Sequence, residues 1–125
     1  MDYSKLRKIV TSSGKLVIAG KNAEQNEEIV KHVLPNETVL HTEAAGSPFC
    51  IIKGKATERD IYETAAFCAK YSRTWKKGNK NKDIEIHCFK GKDIFKSKNM
   101  KIGTFGVKKL RLIKVKKEDI EDIKE

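Results

Sequence analysis

Residues that could take part in chemistry fall into three groups along this 125-residue chain. In the first group, Gly20 and Lys21 precede a predicted helix with Asn22 as its N-cap. Backbone N–H groups, the positive end of a helix dipole and an ammonium group therefore lie together. This arrangement can hold a phosphate, although three glutamates in the helix also satisfy the dipole. The neighbouring amides of Gln25 and Asn26 exceed what helix capping needs, and amides can read base edges as donors and acceptors.

The second group is His41 with Glu43, at the end of a predicted strand and before the turn formed by Gly46, Ser47 and Pro48. A histidine and a carboxylate can act as a general acid/base pair, so a nucleic-acid-processing enzyme is one hypothesis. The chain has three histidines, which is no enrichment, and a hydrogen-bonded structural histidine is the commoner outcome. We therefore expect no catalytic residue in this group.

The cysteines give no sign of a metal site. Cys50, Cys68 and Cys88 lie 18 and 20 residues apart, without the closely spaced pairs that zinc sites use. Their odd number also argues against a disulfide framework. We expect the cysteines to be small buried hydrophobic residues and expect neither a metal nor a cofactor.

The third group is a set of basic residues that begins in a predicted helix and continues through the loop KKGNKNK. Lysine ammonium groups bind phosphates without reading sequence, so this set predicts affinity rather than specificity. Tyr71 and Trp75 are interleaved with it. An exposed ring can stack on a base, but Trp75 continues an apolar helix face and is expected in the core. We predict phosphate contacts from Lys70, Arg73, Lys76, Lys77, Lys80 and Lys82, and from Lys108, Lys109 and Arg111 farther along.

The distribution of charge separates the chain into three parts. Residues 1–66 carry nine basic and nine acidic residues, residues 67–117 carry seventeen basic and three acidic residues, and residues 118–125 carry one basic and five acidic residues. The formal net charge of +10 therefore resides in the second half. A basic half beside a neutral half favours a polyanion as partner, most commonly a nucleic acid.

Short strands and two helices must position these groups. The pattern predicts a single α+β domain over residues 1–117, a mostly antiparallel sheet with two main helices, followed by an acidic tail at 118–125. No apolar run approaches the roughly 20 residues of a membrane span, and the start MDYSKLRK does not resemble a signal peptide, so we expect a cytoplasmic protein without a membrane partner. The predicted elements are a hairpin over 7–19, helices over 22–33 and 57–75, and strands over 38–41, 49–53, 84–88, 94–95, 103–107 and 110–115.

Several segments, taken in order, resemble the NFACT-R domain, the RNA-binding module of the NEMF/Caliban and bacterial FbpA-like RqcH proteins. The resemblance covers about residues 3–115, and its pieces are specific as a set. They are SSGKLVIAGKNAEQNE, His41 with the GSP turn, AAFCAKYSRTWK and the glycine of KIGTFGVKK.

The resemblance implies RNA-binding motif residues and a place in translation. By position these residues are Gly20, Lys21, Asn22, Gln25, Asn26, His41, Gly46, Ser47, Pro48, Ser72 and Trp75. Long members of the family are implied to bind the large ribosomal subunit with a tRNA in ribosome quality control. The NFACT-N, helix-hairpin-helix and coiled-coil parts of such members do not occur in these 125 residues, so the chain resembles the stand-alone form of the domain.

The sequence thus predicts a non-enzymatic RNA-binding module for tRNA or rRNA, with the large ribosomal subunit as the expected setting. Two alternatives stay open. One is the nucleic-acid-processing enzyme that would use His41 and Glu43. The other is a protein-interaction module in which the neutral half and the acidic tail bind the partner.

Overall fold

The computed structural model describes residues 2–42, 47–78 and 80–123. Within these residues, short strands alternate with four α-helices. The elements are β1 (Arg7–Val10), β2 (Leu16–Ala19), α1 (Ala23–Lys31), β3 (Thr38–His41), β4 (Cys50–Ile52), α2 (Glu58–Lys70), α3 (Arg73–Lys77), β5 (Ile84–Lys90), β6 (Ile94–Phe95), β7 (Gly106–Val107), β8 (Arg111–Val115) and α4 (Lys117–Glu121).

Six of the strands form one sheet in the order β1-β2-β4-β3-β5-β8, and each pair of neighbours is antiparallel. Strands β6 and β7 form a separate antiparallel ribbon. This architecture confirms the predicted α+β class with a mostly antiparallel sheet.

Strands β2 and β4 are apolar throughout, and both faces of the sheet are covered at this point. On β2, Val17 and Ala19 pack in the layer that contains α2, whereas Ile18 packs in the opposite layer with Ile29 of α1. Partly buried side chains of the β6–β7 ribbon complete that second layer. Continuous apolar runs such as LVIA are the expected signature of a strand buried on both sides.

Helix α2 lies on the sheet through small residues. Ala65, Cys68 and Ala69 are fully buried and belong to the same core cluster as the sheet residues. Cys50 is also fully buried and Cys88 is nearly so, which confirms that the cysteines are buried hydrophobic residues. Burial raises the pKa of the Cys50 thiol.

The predicted helix over residues 57–75 is wrong in one respect, because it is two helices. The Ser72 hydroxyl donates to the Ala69 carbonyl at 2.7 Å and accepts from the Trp75 N–H at 3.1 Å, so Ser72 ends the first helix and caps the second. Its backbone is extended, with φ −75° and ψ 150°. A serine that bonds to local backbone competes with helix continuation, and a hydrophobic periodicity does not reveal that competition.

The predicted strand over 103–107 is shortened to Gly106–Val107. Gly103 has φ +83°, in the left-handed region that favours glycine and ends an extended segment.

The acidic end of the chain begins as a packed helix. Of the expected tail 118–125, residues 118–121 belong to α4, and the side chain of Ile120 is fully buried in the cluster that contains α2. The Tyr62 hydroxyl of α2 also donates to the Asp119 carboxylate.

The turn of the β1–β2 hairpin is fastened to the start of α2. Asp60 forms a capping box with Thr57, and its carboxylate also accepts a hydrogen bond from the Ser13 hydroxyl at 2.7 Å. The neighbouring Ser12 N–H donates to Glu63 at 2.8 Å. These contacts lower the pKa of the Asp60 carboxyl, with the Thr57 N–H as the largest cause.

The wild type is therefore expected to lose stability in acid partly through Asp60. A carboxyl group whose pKa is lowered by folding stabilises the fold above its unfolded-state pKa of about 3.9, and the contribution is lost as the pH falls toward the folded-state value. Asp60→Asn should weaken the decline of the unfolding free energy in urea between about pH 5 and pH 2, whereas Asp122→Asn, at an exposed carboxylate, should not. An equally steep decline in the wild type and Asp60→Asn would contradict this assignment.

Candidate nucleic-acid interface

Most of the described motif residues lie at one end of the sheet. Ala19 at the end of β2 pairs with Cys50 at the start of β4, and Cys50 also pairs with Leu40, next to His41 at the end of β3. Helix α1 begins at this same end, directly after Gly20 and its two following residues.

Asn22 caps the start of α1 as predicted, and Gln25 bonds back to the residue before the cap. The Asn22 carboxamide oxygen accepts from the Gln25 N–H at 2.8 Å, and the Gln25 carboxamide oxygen accepts from the Lys21 N–H at 2.8 Å. The Gln25 amide nitrogen reaches the Lys5 carbonyl at 3.5 Å. Both ends of the Gln25 amide therefore contact backbone, and the exposed side chains of Lys21 and Glu24 carry opposite charges at this helix start.

Asn26 is a buried structural residue that fixes the segment entering β4. Its carboxamide oxygen accepts from the Phe49 N–H at 3.2 Å, and its amide nitrogen donates to the Ser47 carbonyl at 3.3 Å. A Cβ on Gly20 would overlap the Asn26 carboxamide oxygen and would lie 2.9 Å from the Asn26 backbone nitrogen. The glycine is therefore required by this close approach, and a contact of Asn26 with a base stays a prediction.

His41 is held as a neutral imidazole. Its Nε2 lies 3.2 Å from the Ser47 carbonyl and must carry the proton that is donated there, and its ring stacks on Phe49 at a centroid distance of 3.8 Å. Burial lowers the pKa of His41 to about 4, although the bond to Ser47 opposes that shift. Glu43, its suggested partner, and Gly46 of the turn lie outside the described residues.

Ser47 and Ser72 hold the start of α3. The Ser47 hydroxyl accepts from the Arg73 N–H at 3.2 Å, next to the Ser72 cap. The Trp75 ring lies in the core with 2% exposure, as its position on the apolar face predicts. The ring is therefore not a stacking surface for a base in this structure.

Sequence reasoning missed the contacts that place the loop around the family glycine. The Glu27 carboxylate accepts from the Gly103 N–H at 2.8 Å and pairs with the Lys96 ammonium at 3.0 Å. These contacts lower the pKa of Glu27. A Cβ on Gly103 would lie 2.8 Å from the Ala23 Cβ, so this glycine allows the loop to approach α1. Phe105 then packs edge-on against Phe49.

Together these segments enclose a cleft of about 630 Å³. Seven motif residues line it: Gly20, Lys21, Asn22, Asn26, His41, Ser47 and Pro48. The other lining residues are Arg7, Ala23, Thr42, Phe49, Tyr71, Lys76, His87, Phe89, Ile102, Gly103, Thr104, Phe105, Val107 and Leu110. Arg7, Lys21 and Lys76 supply positive charge, and no aspartate or glutamate lines the cleft within the part of the chain that the structure describes.

The predicted phosphate-binding residues are mostly at the surface. Lys70 is half-buried. Arg111 forms a bidentate ion pair with Glu58 at 3.0 and 2.9 Å, which partly neutralises the charge of Arg111. Lys76 both belongs to the basic segment and lines the cleft. Besides Arg111, the exposed members are Arg73, Lys76, Lys77, Lys80, Lys82, Lys108 and Lys109.

The described ranges 2–42, 47–78 and 80–123 offer neither a metal site nor a membrane-spanning helix. No cluster of three histidine, cysteine or carboxylate side chains suitable for a metal ion occurs there. None of the helices in those ranges has the length and apolar character needed to cross a membrane.

The sequence also matches a known family of domains. Residues 5–109 match the profile of the NFACT protein RNA binding domain. The chain belongs to this family. The resemblance inferred from the motifs is thereby confirmed, and the NFACT RNA-binding domain of this protein contains both the cleft and most of the basic residues.

Relatives of this NFACT domain include ribosome quality control proteins. The archaeal Rqc2 homolog aRqcH of Methanocaldococcus jannaschii is 40% identical over 80 residues, which are 61% of this chain and 12% of aRqcH. The ribosome quality control complex subunit NEMF of Mus musculus and that of Homo sapiens are each 31% identical over 78 residues, 58% of this chain and 7% of NEMF. The chain thus spans a small part of the length of these relatives.

A solved structure has the same fold. The C-terminal part of the fibronectin/fibrinogen-binding protein from Streptococcus suis superposes with a TM-score of 0.81 at 17% sequence identity. The match covers 99% of this chain and 51% of that chain.

Proposed function

We propose that this NFACT domain is a non-enzymatic module that binds tRNA or rRNA in ribosome quality control, in the cytoplasm and at the large ribosomal subunit. The family description supports RNA as the ligand, and the names of aRqcH and NEMF support the setting.

One observation carries the proposal. Lys76 lines the cleft that contains the motif residues and also begins the exposed lysine series of the basic segment. An RNA held by this series would therefore extend directly to the cleft. Lysines would supply affinity through the phosphates, and the cleft would supply discrimination.

The state of His41 supports a role without catalysis. Its pKa of about 4 makes it a weak base, and its Nε2 proton is already donated to the Ser47 carbonyl. A general base works best with a pKa near the operating pH, which this imidazole does not have.

The test is binding to purified tRNA and to an rRNA fragment as a function of salt, with recovery of the RNA afterwards. Several phosphate contacts predict that affinity falls by about two orders of magnitude or more between about 50 and 300 mM salt. We expect the RNA to be recovered intact after long incubation with Mg²⁺. Salt-independent affinity would reject RNA binding by this basic segment, and RNA cleavage that His41→Ala abolishes would reject the non-enzymatic role.

A further inference from the structure

The cleft is lined by a neutral imidazole and by three cationic side chains. His41 is neutral at neutral pH because burial lowers its pKa to about 4. The ammonium and guanidinium groups of Lys21, Lys76 and Arg7 supply its charge, and no carboxylate side chain of the described residues lines it. Such a site suits a ligand that is anionic at its ends and uncharged between them.

Two large apolar side chains at this cleft are exposed to water. Ile102 is 62% exposed and Leu110 is 41% exposed, and both line the cleft together with the half-buried Phe105. Exposed apolar side chains that share a cleft with cationic side chains indicate a surface that a ligand with an apolar face would cover.

Arg7 contributes a planar cationic group to the lining of the cleft. The Arg7 guanidinium lies 4.1 Å from the centre of the Tyr71 ring. Guanidinium planes stack on aromatic rings and on nucleic-acid bases, so this pair offers a planar surface of the kind that bases use.

The volume of the cleft limits what can enter. About 630 Å³ is in the range of roughly 300–1,000 Å³ that holds a small molecule. One nucleotide is a ligand of this class, whereas an RNA duplex is not. Bases in a duplex are also stacked, and proteins reach their faces where the strand is unpaired.

We propose that the cleft receives one unpaired nucleotide of the bound RNA, with its base against Ile102 and Leu110 and its flanking phosphates at Lys21 and Lys76. This inference rests on the proposed RNA-binding function and specifies the class of RNA: duplex regions interrupted by a bulged or looped-out nucleotide. The basic segment beyond Lys76 would hold the adjoining phosphates.

The test compares two RNA duplexes with the same number of phosphates, one fully paired and one with a single bulged nucleotide, binding to the full 125-residue chain. The wild type should bind the bulged duplex about tenfold more tightly, since burying one base against a protein surface has an effect of this order. The double variant Ile102→Ser, Leu110→Ser should lose this preference and keep the affinity for the paired duplex.

The matched control replaces exposed apolar residues outside the cleft. Val10 and Leu34 are 67% and 59% exposed, and the variant Val10→Ser, Leu34→Ser should keep the tenfold preference. A second measurement requires no variant: 4-thiouridine at the bulge should crosslink to residues 101–110 of the wild type. Crosslinks confined to residues that do not line the cleft would overturn the proposal.

The outcomes separate the two levels of inference. Equal wild-type affinity for both duplexes would overturn the nucleotide site and leave RNA binding in place. A serine double variant that retains the preference would also overturn it, because the base would then be bound elsewhere. Absence of binding to either duplex and to tRNA would overturn the proposed function together with this site.

Discussion

RNA affinity should fall by about two to three orders of magnitude at about 0.15 M salt when four exposed lysines of the basic segment are replaced by alanine. Each lost phosphate contact also reduces the slope of log affinity against log salt by about 0.7–0.9, so the combined variant should have a slope smaller by about 3. The loss should be similar for all RNAs, because lysine contacts phosphates and not bases. The four residues are Lys76, Lys77, Lys80 and Lys82.

A matched variant separates position from net charge. Four exposed lysines of the neutral half can be replaced in the same way, with the same change of four charges, and this variant should lose less than about tenfold in affinity through the long-range field. Equal losses in the two variants would show that net charge, and not the basic segment, determines binding. The control lysines are Lys5, Lys8, Lys31 and Lys55.

Gly20→Ala should destabilise the fold by about 2–4 kcal/mol. The added Cβ would overlap the Asn26 carboxamide, which is bonded to the Phe49 N–H and the Ser47 carbonyl. Relief of the overlap must break these buried bonds or move α1 away from the sheet. Urea unfolding measures the change, and a loss below about 1 kcal/mol would contradict the close approach.

A double-mutant cycle with Asn26→Ala tests the cause. The single change at Asn26 should cost about 1–3 kcal/mol, because it leaves the buried Phe49 N–H without its acceptor. In that background Gly20→Ala should cost at least about 1 kcal/mol less than in the wild type, since the carboxamide it overlaps is gone. Some cost should persist because the Asn26 backbone nitrogen lies 2.9 Å from the new Cβ. Asn99→Ala, at an exposed loop position, should leave the unfolding free energy nearly unchanged.

The sequence supports much of the fold because its local signals agree with each other. Asn22 and Thr57 cap helices as their spacing with Gln25 and Asp60 predicts, and apolar runs mark strands that are buried on both faces. The exception is Ser72, which begins a new helix. Trp75 is buried at the spacing of a continuous helix, so the sequence does not show this new start. Periodicity reports which side chains are buried, not whether the backbone between them is continuous.

Less of the candidate site could be predicted from the sequence, because residues far apart in the sequence form it. Asn26 looks like a surface amide in the helix, and only the sheet register brings the Phe49 N–H to it. Glu27 fixes Gly103, 76 positions later, and thereby places Ile102 at the cleft. Local spacing carries no information on such contacts, whereas the family motif indicated Gly103 without giving its reason.

Ser47 bonds to helices that pack on opposite faces of the sheet, α1 and α3. Its carbonyl accepts from the Asn26 amide and the His41 ring, and its hydroxyl accepts from the first N–H of α3. The cleft wall at this point is therefore formed before any ligand arrives. Association with RNA should then be limited by electrostatic encounter and not by a conformational step. Differences between good and poor RNA ligands should accordingly lie in how long each complex persists, while the rates at which the complexes form remain similar.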